Sequence, residues 1–162
     1  MNKKDSTLYF EKDLMSPETG SLILPDGIVE IAFDPLQHSK PARRLLNEAY
    51  AHGGGDIVDH DVWWSSLSQD EEYSPETVLV LIKAATGQMV GFAQSWTSAF
   101  VKDIAVEKTH RRLGLGAYMI SRLSRHFQAE GFKSVALKVT HDNPNGAIQF
   151  YQELGFKKRS LD

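Results

Sequence analysis

The stretch R111-R112-L113-G114-L115-G116 places two arginines and two glycines directly ahead of a segment with helical periodicity. Leu115, Met119, Leu123 and Phe127 recur at every fourth position and Ile120 widens the stripe, so a helix from about Gly116 to Glu130 buries one face. The first turn of a helix carries backbone N–H groups without an intrahelical acceptor, together with the positive end of the helix dipole. Gly114 and Gly116 remove side chains that would hold an anion away from those groups, and Arg111 and Arg112 add charge beside them. The chemistry this pattern can do is phosphate binding. A plain tight turn gives the same glycine spacing; the two arginines and the strand-like run "DIAV" ahead of them favour the cradle.

Charge is distributed to match. Residues 1 to 99 hold 7 Lys and Arg against 15 Asp and Glu, whereas residues 100 to 162 hold 11 against 6. The second part of the chain is suited to meet an anion, or else the two parts present solvated faces of opposite sign. The overall net charge of -3 argues against a nucleic-acid partner. With 162 residues, 41% hydrophobic and 24% charged, the composition is that of one globular domain with a real core. There is no cysteine, so disulfides, thiolate metal sites and thiol nucleophiles are excluded. No run approaches the roughly 18 apolar residues of a membrane span, and the start has no apolar segment behind its lysines. The expectation is a cytoplasmic protein without a membrane partner, a monomer or a homodimer.

The elements that must position the cradle alternate along the chain. "GIVEIAF" (27 to 33) reads as a strand, and "SKPARRLLNEAYAH" (39 to 52) as a helix with Ser39 at its N-cap and the three glycines 53 to 55 ending it. "DHDVWWSSL" (59 to 67) reads as a short helix. Residues 77 to 86, 88 to 98 and 100 to 106 are strand-like runs separated by short turns, an antiparallel meander. The glycine-led helix follows, then a strand at 134 to 140, a helix at 145 to 154 and a short final strand. The order β-α-α-β-β-β-α-β-α-β is that of an α+β layered fold. Residues 21 to 162 read as one domain, and residues 1 to 20 as an extension in which nothing demands order.

The segment 111 to 116 is similar to the Arg/Gln-x-x-Gly-x-Gly/Ala signature of the GNAT N-acetyltransferase superfamily, and it lies between a strand and a long helix. Downstream, "NPNGAIQFYQELGF" (143 to 156) resembles that family's Asn-x-x-Ala-x-x-x-Tyr-x-x-x-Gly-Phe segment. Ala147 and Tyr151 keep the spacing. Asn143 lies one residue too far upstream, Pro144 stands where asparagine is usual, and Asn145 is an alternative.

The resemblance implies a GNAT-type fold, a mixed central sheet flanked by helices in which the strands at 100 to 106 and 134 to 140 run parallel and splay apart. It implies acetyl-CoA as acyl-donor cosubstrate and an amine as acceptor, with no metal. The diphosphate would lie on Arg111, Arg112, Leu113, Gly114, Leu115, Gly116 and Ala117, and Asn143 would contact the same molecule. The pantetheine arm would pair with open backbone at Ile104, Ala105 and Val106, as an added strand does. Tyr151 resembles the family's general acid, which protonates the leaving thiolate, and backbone N–H near Val106 would meet the developing oxyanion. A half-buried tyrosine that only packs the last helix is the other reading of Tyr151. A noncatalytic CoA-binding sensor of the same fold is the alternative function, supported by Lys102, where some family members carry glutamate, and by the irregular Asn143 spacing.

A lysine-like amine with a pKa near 10.4 is neutral in roughly one molecule in 10³ at pH 7, so deprotonation costs about 4 to 5 kcal/mol. A base would help, and the sequence offers Asp103, Glu107 and His141 without choosing. Asp103 falls on the opposite strand face from Lys102 and Ile104, which suits a structural ion pair. "AHGGGDIVDHDVWW" (51 to 64) combines flexible glycines, aspartates and two tryptophans, either a lid that selects a cationic or aromatic amine or a solvated loop whose tryptophans are core.

Overall fold

The computed structural model describes residues 7–140 and 146–159. Its strands are β1 (Thr7–Asp13), β2 (Ile28–Ile31), β3 (Val78–Lys83), β4 (Met89–Trp96), β5 (Phe100–Val106), β6 (Ser134–Thr140) and β7 (Lys157–Lys158). The helices are α1 (Pro35–Ala49), α2 (His60–Ser68), α3 (Leu115–Ala129) and α4 (Ala147–Glu153). All seven strands form one mixed sheet in the order β2-β3-β4-β5-β6-β1-β7. The expected meander is present, since β2 to β5 pair antiparallel in sequence order.

The strand missing from the sequence reading is β1. Residues 7 to 13 pair antiparallel with β6 along their whole length, from Thr7 opposite Thr140 to Asp13 opposite Ser134, and β7 pairs on the other side. Part of the stretch read as an extension is thus interior to the sheet. A second correction concerns α1. It begins at Pro35, capped by the Asp34 side chain, which accepts from the Leu36 N–H, and Ser39 lies within the helix. Asp followed by Pro at the first helical position is the standard start signal. Pro41 is consequently inside the helix rather than in its first turn.

Each face of the sheet has its own core. On one, α3 and α4 cover β1, β5 and β6 with Met119, Leu123, Phe127, Val135, Leu137 and their neighbours. The stripe expected for α3 is fully buried, each of its five members being at most 2% exposed. On the other face α1 and α2 cover β3 to β5 with Leu46, Trp63, Leu67, Val80 and Phe92. Glu30 on β2 ties the layers together, taking Nε and Nη2 of Arg122 at 2.9 and 3.0 Å and the Tyr118 hydroxyl at 2.8 Å.

The central feature for function is where β5 leaves β6. The two strands are parallel neighbours only at Phe100 opposite Ala136 and Val101 opposite Leu137. On its other edge β5 pairs Gln94 with Asp103 and Ser95 with Val101, which leaves Lys102 as an extra residue in a bulge. A bulge bends its strand and increases the local twist. Here it follows directly on the last residue paired with β6, so β5 continues with β4 and a wedge opens between β5 and β6.

Candidate active site

Two openings border the wedge. The larger is a cleft of about 620 Å³. It brings together residues singled out from the sequence at three separate places. Ile104, Ala105 and Val106 form one wall, Arg111, Arg112, Gly114, Leu115, Gly116 and Ala117 the floor, and Ala147, Phe150 and Tyr151 of α4 the far wall. Leu113 does not join them; its side chain is 49% exposed and lies in a groove between α3 and the segment after β1. Asn143 and His141 lie outside the described residues.

The backbone explains the floor. Arg112 and Gly114 both have positive φ, 64° and 83°, so the chain reverses sharply before α3. Arg111 donates from Nε to the Val106 carbonyl at 3.4 Å, which holds the turn against the end of β5. The first helical bond of α3 runs from the Tyr118 N–H to the Gly114 carbonyl, so the amides of Leu115, Gly116 and Ala117 precede the ladder. Among the described residues no side chain caps them. A Cβ on Gly114 would meet nothing within 4 Å, whereas one on Gly116 would lie 3.0 Å from Cζ of Phe150. Gly114 serves the turn and the open approach; Gly116 also lets α4 pack against α3.

The edge of β5 that faces the wedge is free of β6 after Val101, because the β4 ladder uses only one edge of Ile104, Ala105 and Val106. Tyr151 stands across the gap, 8% exposed, with its ring edge-on to Phe150 and Phe156 at centroid distances of 5.1 and 5.7 Å. Burial pushes its phenol pKa well above the usual tyrosine value.

The second opening is a small cavity of about 60 Å³. Tyr50, Ile104 and Tyr151 line both openings, so the two adjoin along the wedge. Sequence reasoning missed Tyr50, the last residue before the glycine loop, and His110, which lines the larger cleft just before the two arginines. The glycine run reaches the site directly, with Gly53 on the cleft and Gly54 on the small cavity. The rest of segment 51 to 64 does not. Trp63 is 5% exposed and Trp64 packs with Phe33 and Tyr73, so both tryptophans are core. Asp59 caps α2 by accepting from the Asp61 and Val62 N–H groups. His60 bridges Ser39 and Asp61 at 2.9 and 2.8 Å. Among the described residues no cluster of side chains has the makeup of a metal site, and no helix is long and apolar enough to cross a membrane.

Two of the three candidate bases, Asp103 and Glu107, are occupied; the third, His141, lies outside the described residues. Asp103 accepts the Tyr50 hydroxyl at 2.8 Å and Nζ of Lys102 at 3.1 Å, the bulge having brought the neighbouring lysine within reach. Glu107 accepts from the hydroxyl and N–H of Thr109 and from His110 at 2.6 Å, and these bonds hold its carboxyl pKa down at about 2. A carboxylate stabilised to that degree is a weak base.

Comparison with known proteins agrees with this architecture. Residues 40–156 match the model of the acetyltransferase (GNAT) family. Phosphinothricin N-acetyltransferase from Streptomyces viridochromogenes is 27% identical over 103 residues, covering 60% of this chain and 55% of that protein. The chain thus matches about half the length of that relative. A GCN5-related N-acetyltransferase from Sphaerobacter thermophilus superposes with a TM-score of 0.79 at 18% identity, over 94% of this chain and 48% of that one. The ribosomal-protein-S18-alanine N-acetyltransferase from Escherichia coli does so with a TM-score of 0.62 at 20% identity, over 82% and 79%. With the family model spanning most of the chain, including the strand, turn and helices that build the wedge, this chain belongs to the acetyltransferase (GNAT) family.

Proposed function

We propose that this chain transfers an acetyl group from acetyl-CoA to a primary amine of a small molecule or a peptide. The observation that carries this reading is the cleft at the wedge, with a phosphate-type cradle at its floor, Tyr151 on its wall and an adjoining second opening for an acceptor. Three bare amides, an unobstructed Gly114 and two arginines fit a diphosphate. The open edge at Ile104, Ala105 and Val106 fits an extended amide-bearing arm. Acetyl-CoA, when bound, supplies a thioester whose C–S bond breaks as the acceptor nitrogen forms a C–N bond.

The chain's own contribution is positioning and proton control. The β5 edge fixes the donor's direction and the cradle fixes its far end, which converts an encounter in solution into an oriented one. Tyr151 keeps its proton at Oη because burial disfavours the phenolate, and it can deliver that proton to the sulfur. The proton lost by the acceptor ammonium leaves to water, Asp103 and Glu107 both being engaged, and the second proton, released from nitrogen once the C–N bond has formed, restores the Tyr151 phenol.

Release of CoA thiol with a panel of amines tests the activity, and a chain that binds acetyl-CoA but turns over with none of them would be a binding module instead. Gly114→Glu tests the cradle, placing a bulky anion where phosphate is expected. It should cut acetyl-CoA affinity by about tenfold or more, roughly 1.4 kcal/mol, in a protein whose melting shows that it still folds. Unchanged affinity in that folded variant removes the phosphate assignment.

A further inference from the structure

One side chain already at the site is itself a primary amine. Lys102 is the residue that the β5 bulge sets outside the ladder with β4, two positions before Ile104, and it lines the small cavity together with Ile104 and Tyr151. Its Nζ lies 3.1 Å from Oδ2 of Asp103 and 5.9 Å from the centre of the Trp96 ring, and its side chain is 38% exposed. The Tyr50 hydroxyl donates to Oδ1 of the same carboxylate at 2.8 Å, so Asp103 is held through both oxygens. An amine, a carboxylate within hydrogen-bond reach of it and a third group that orients the carboxylate form the arrangement by which side-chain nucleophiles are activated. Toward an amine from solution Asp103 is engaged; toward Lys102 it is already in place.

We propose that Lys102 is a self-acetylation site: its Nζ takes an acetyl group from bound acetyl-CoA, and the resulting amide obstructs the small cavity. The inference rests on the acetyl-transfer reading. The Lys102 ammonium gives one proton to water, and the neutral Nζ attacks the thioester carbonyl carbon. A C–N bond forms and the C–S bond breaks, the sulfur taking the Tyr151 proton. The second proton of the nitrogen passes to Oδ2 of Asp103 and from there, through water, restores the Tyr151 phenol. The products are Nζ-acetyl-Lys102 and CoA thiol, with one proton released to solvent. Carried on the strand whose edge positions the donor, Lys102 meets the thioester within one molecule, without a second encounter. Only the neutral amine attacks, and a lysine amine is neutral in roughly one molecule in 10³ at pH 7, so the step is slow and marks Lys102 over many turnovers. At about 60 Å³ the opening is small. The added carbonyl and methyl occupy space that an acceptor needs, so the modification slows further transfer.

Incubation of the full chain with acetyl-CoA and no added amine tests this, read by mass mapping of acetylated peptides and by CoA thiol release. Lys102 should gain one acetyl group per CoA released, and should do so about tenfold or more faster than the exposed Lys157 and Lys158 of β7, because it alone of the three meets the donor already oriented. The rate constant should not change with protein concentration. Asp103→Asn should slow labelling of Lys102 by about 10² or more, the usual scale for losing a general base, with the Lys157 and Lys158 background unaltered. Amine turnover by the unaltered chain should decline as Lys102 fills during preincubation with acetyl-CoA. Lys102→Arg keeps the cation and cannot form this amide, so its turnover should be the same before and after preincubation. An unmodified Lys102, labelling no faster than at Lys157 and Lys158, labelling of Lys138 at the same opening in its place, a rate that climbs with protein concentration, or an equal decline in Lys102→Arg overturns the inference. Turnover of added amines beside an unmodified Lys102 leaves acetyl transfer standing, whereas a chain that acetylates neither itself nor any amine overturns both.

Discussion

The Tyr50 hydroxyl donates a 2.8 Å hydrogen bond to Asp103, joining the C-terminal cap of α1 to the strand that forms one side of the wedge. Both groups are largely buried, and burial together with the adjacent carboxylate keeps the phenol protonated far above neutral pH. Tyr50 also supports the glycine loop, since a Cβ on Gly55 would lie 2.6 Å from Cδ2 of its ring. Tyr50→Phe keeps that ring and removes only the donor, leaving Asp103 to Lys102. A hydrogen bond to a charged acceptor contributes about 1.5 to 3 kcal/mol, so the melting temperature should fall by roughly 3 to 12 °C. Because Tyr50 lines both openings, acceptor KM should rise as well. A variant with unaltered melting and KM would show that the bond positions nothing.

Acid should loosen the turn that leads into the cradle. Glu107 has a folded pKa of about 2, set first by Thr109 and His110 hydrogen bonds. Glu30 is shifted down in the same direction by the Arg122 guanidinium. For a carboxyl whose pKa is depressed on folding, the stabilisation is complete above its unfolded value, about 4.3, and is lost as pH falls toward the folded one. The melting temperature should therefore drop between about pH 4.5 and pH 2, and Glu107→Gln should make that drop shallower while lowering the value at pH 7. Identical acid slopes in the two proteins would mean that the contacts of Glu107 add nothing to stability.

How far the sequence speaks for the molecule varies by element. The apolar runs of β5 and β6 and the four-residue stripe of α3 carry their own boundaries, since burial on one face imposes a period visible in a short window. In β1 only Phe10 is fully buried, and Lys12 on the same face is spent on an ion pair with Glu18 at 2.7 Å. Such a strand looks like a charged tail; its stability comes from pairing with β6, more than a hundred residues away. The cradle is legible because a turn, a helix start and two arginines are contiguous. The small cavity is not, because Tyr50, Lys102 and Lys138 come from three elements that only the fold brings together. Residue type also misleads where one glycine has two reasons: Gly116 suggests ligand approach, and the ring of Phe150 is an equally direct cause.

Tyr151 distinguishes a catalytic phenol from a packing one. Its ring is fixed by Phe150 and Phe156, so Tyr151→Phe retains volume and edge-on contacts and deletes a single oxygen with its proton. If that proton goes to the sulfur as the C–S bond breaks, the loss is felt only in the transition state. Both kcat and kcat/KM should then fall together, by about 10² to 10⁴, the usual cost of losing a general acid. Acetyl-CoA affinity, which depends on the cradle and the β5 edge, should stay near that of the unaltered chain, as should the melting temperature. A tyrosine that served packing alone would give the reverse, full turnover in whatever fraction of the protein remains folded. Measuring turnover, acetyl-CoA affinity and melting on one Tyr151→Phe preparation separates the two, and near-normal kcat would assign proton delivery to water in the wedge.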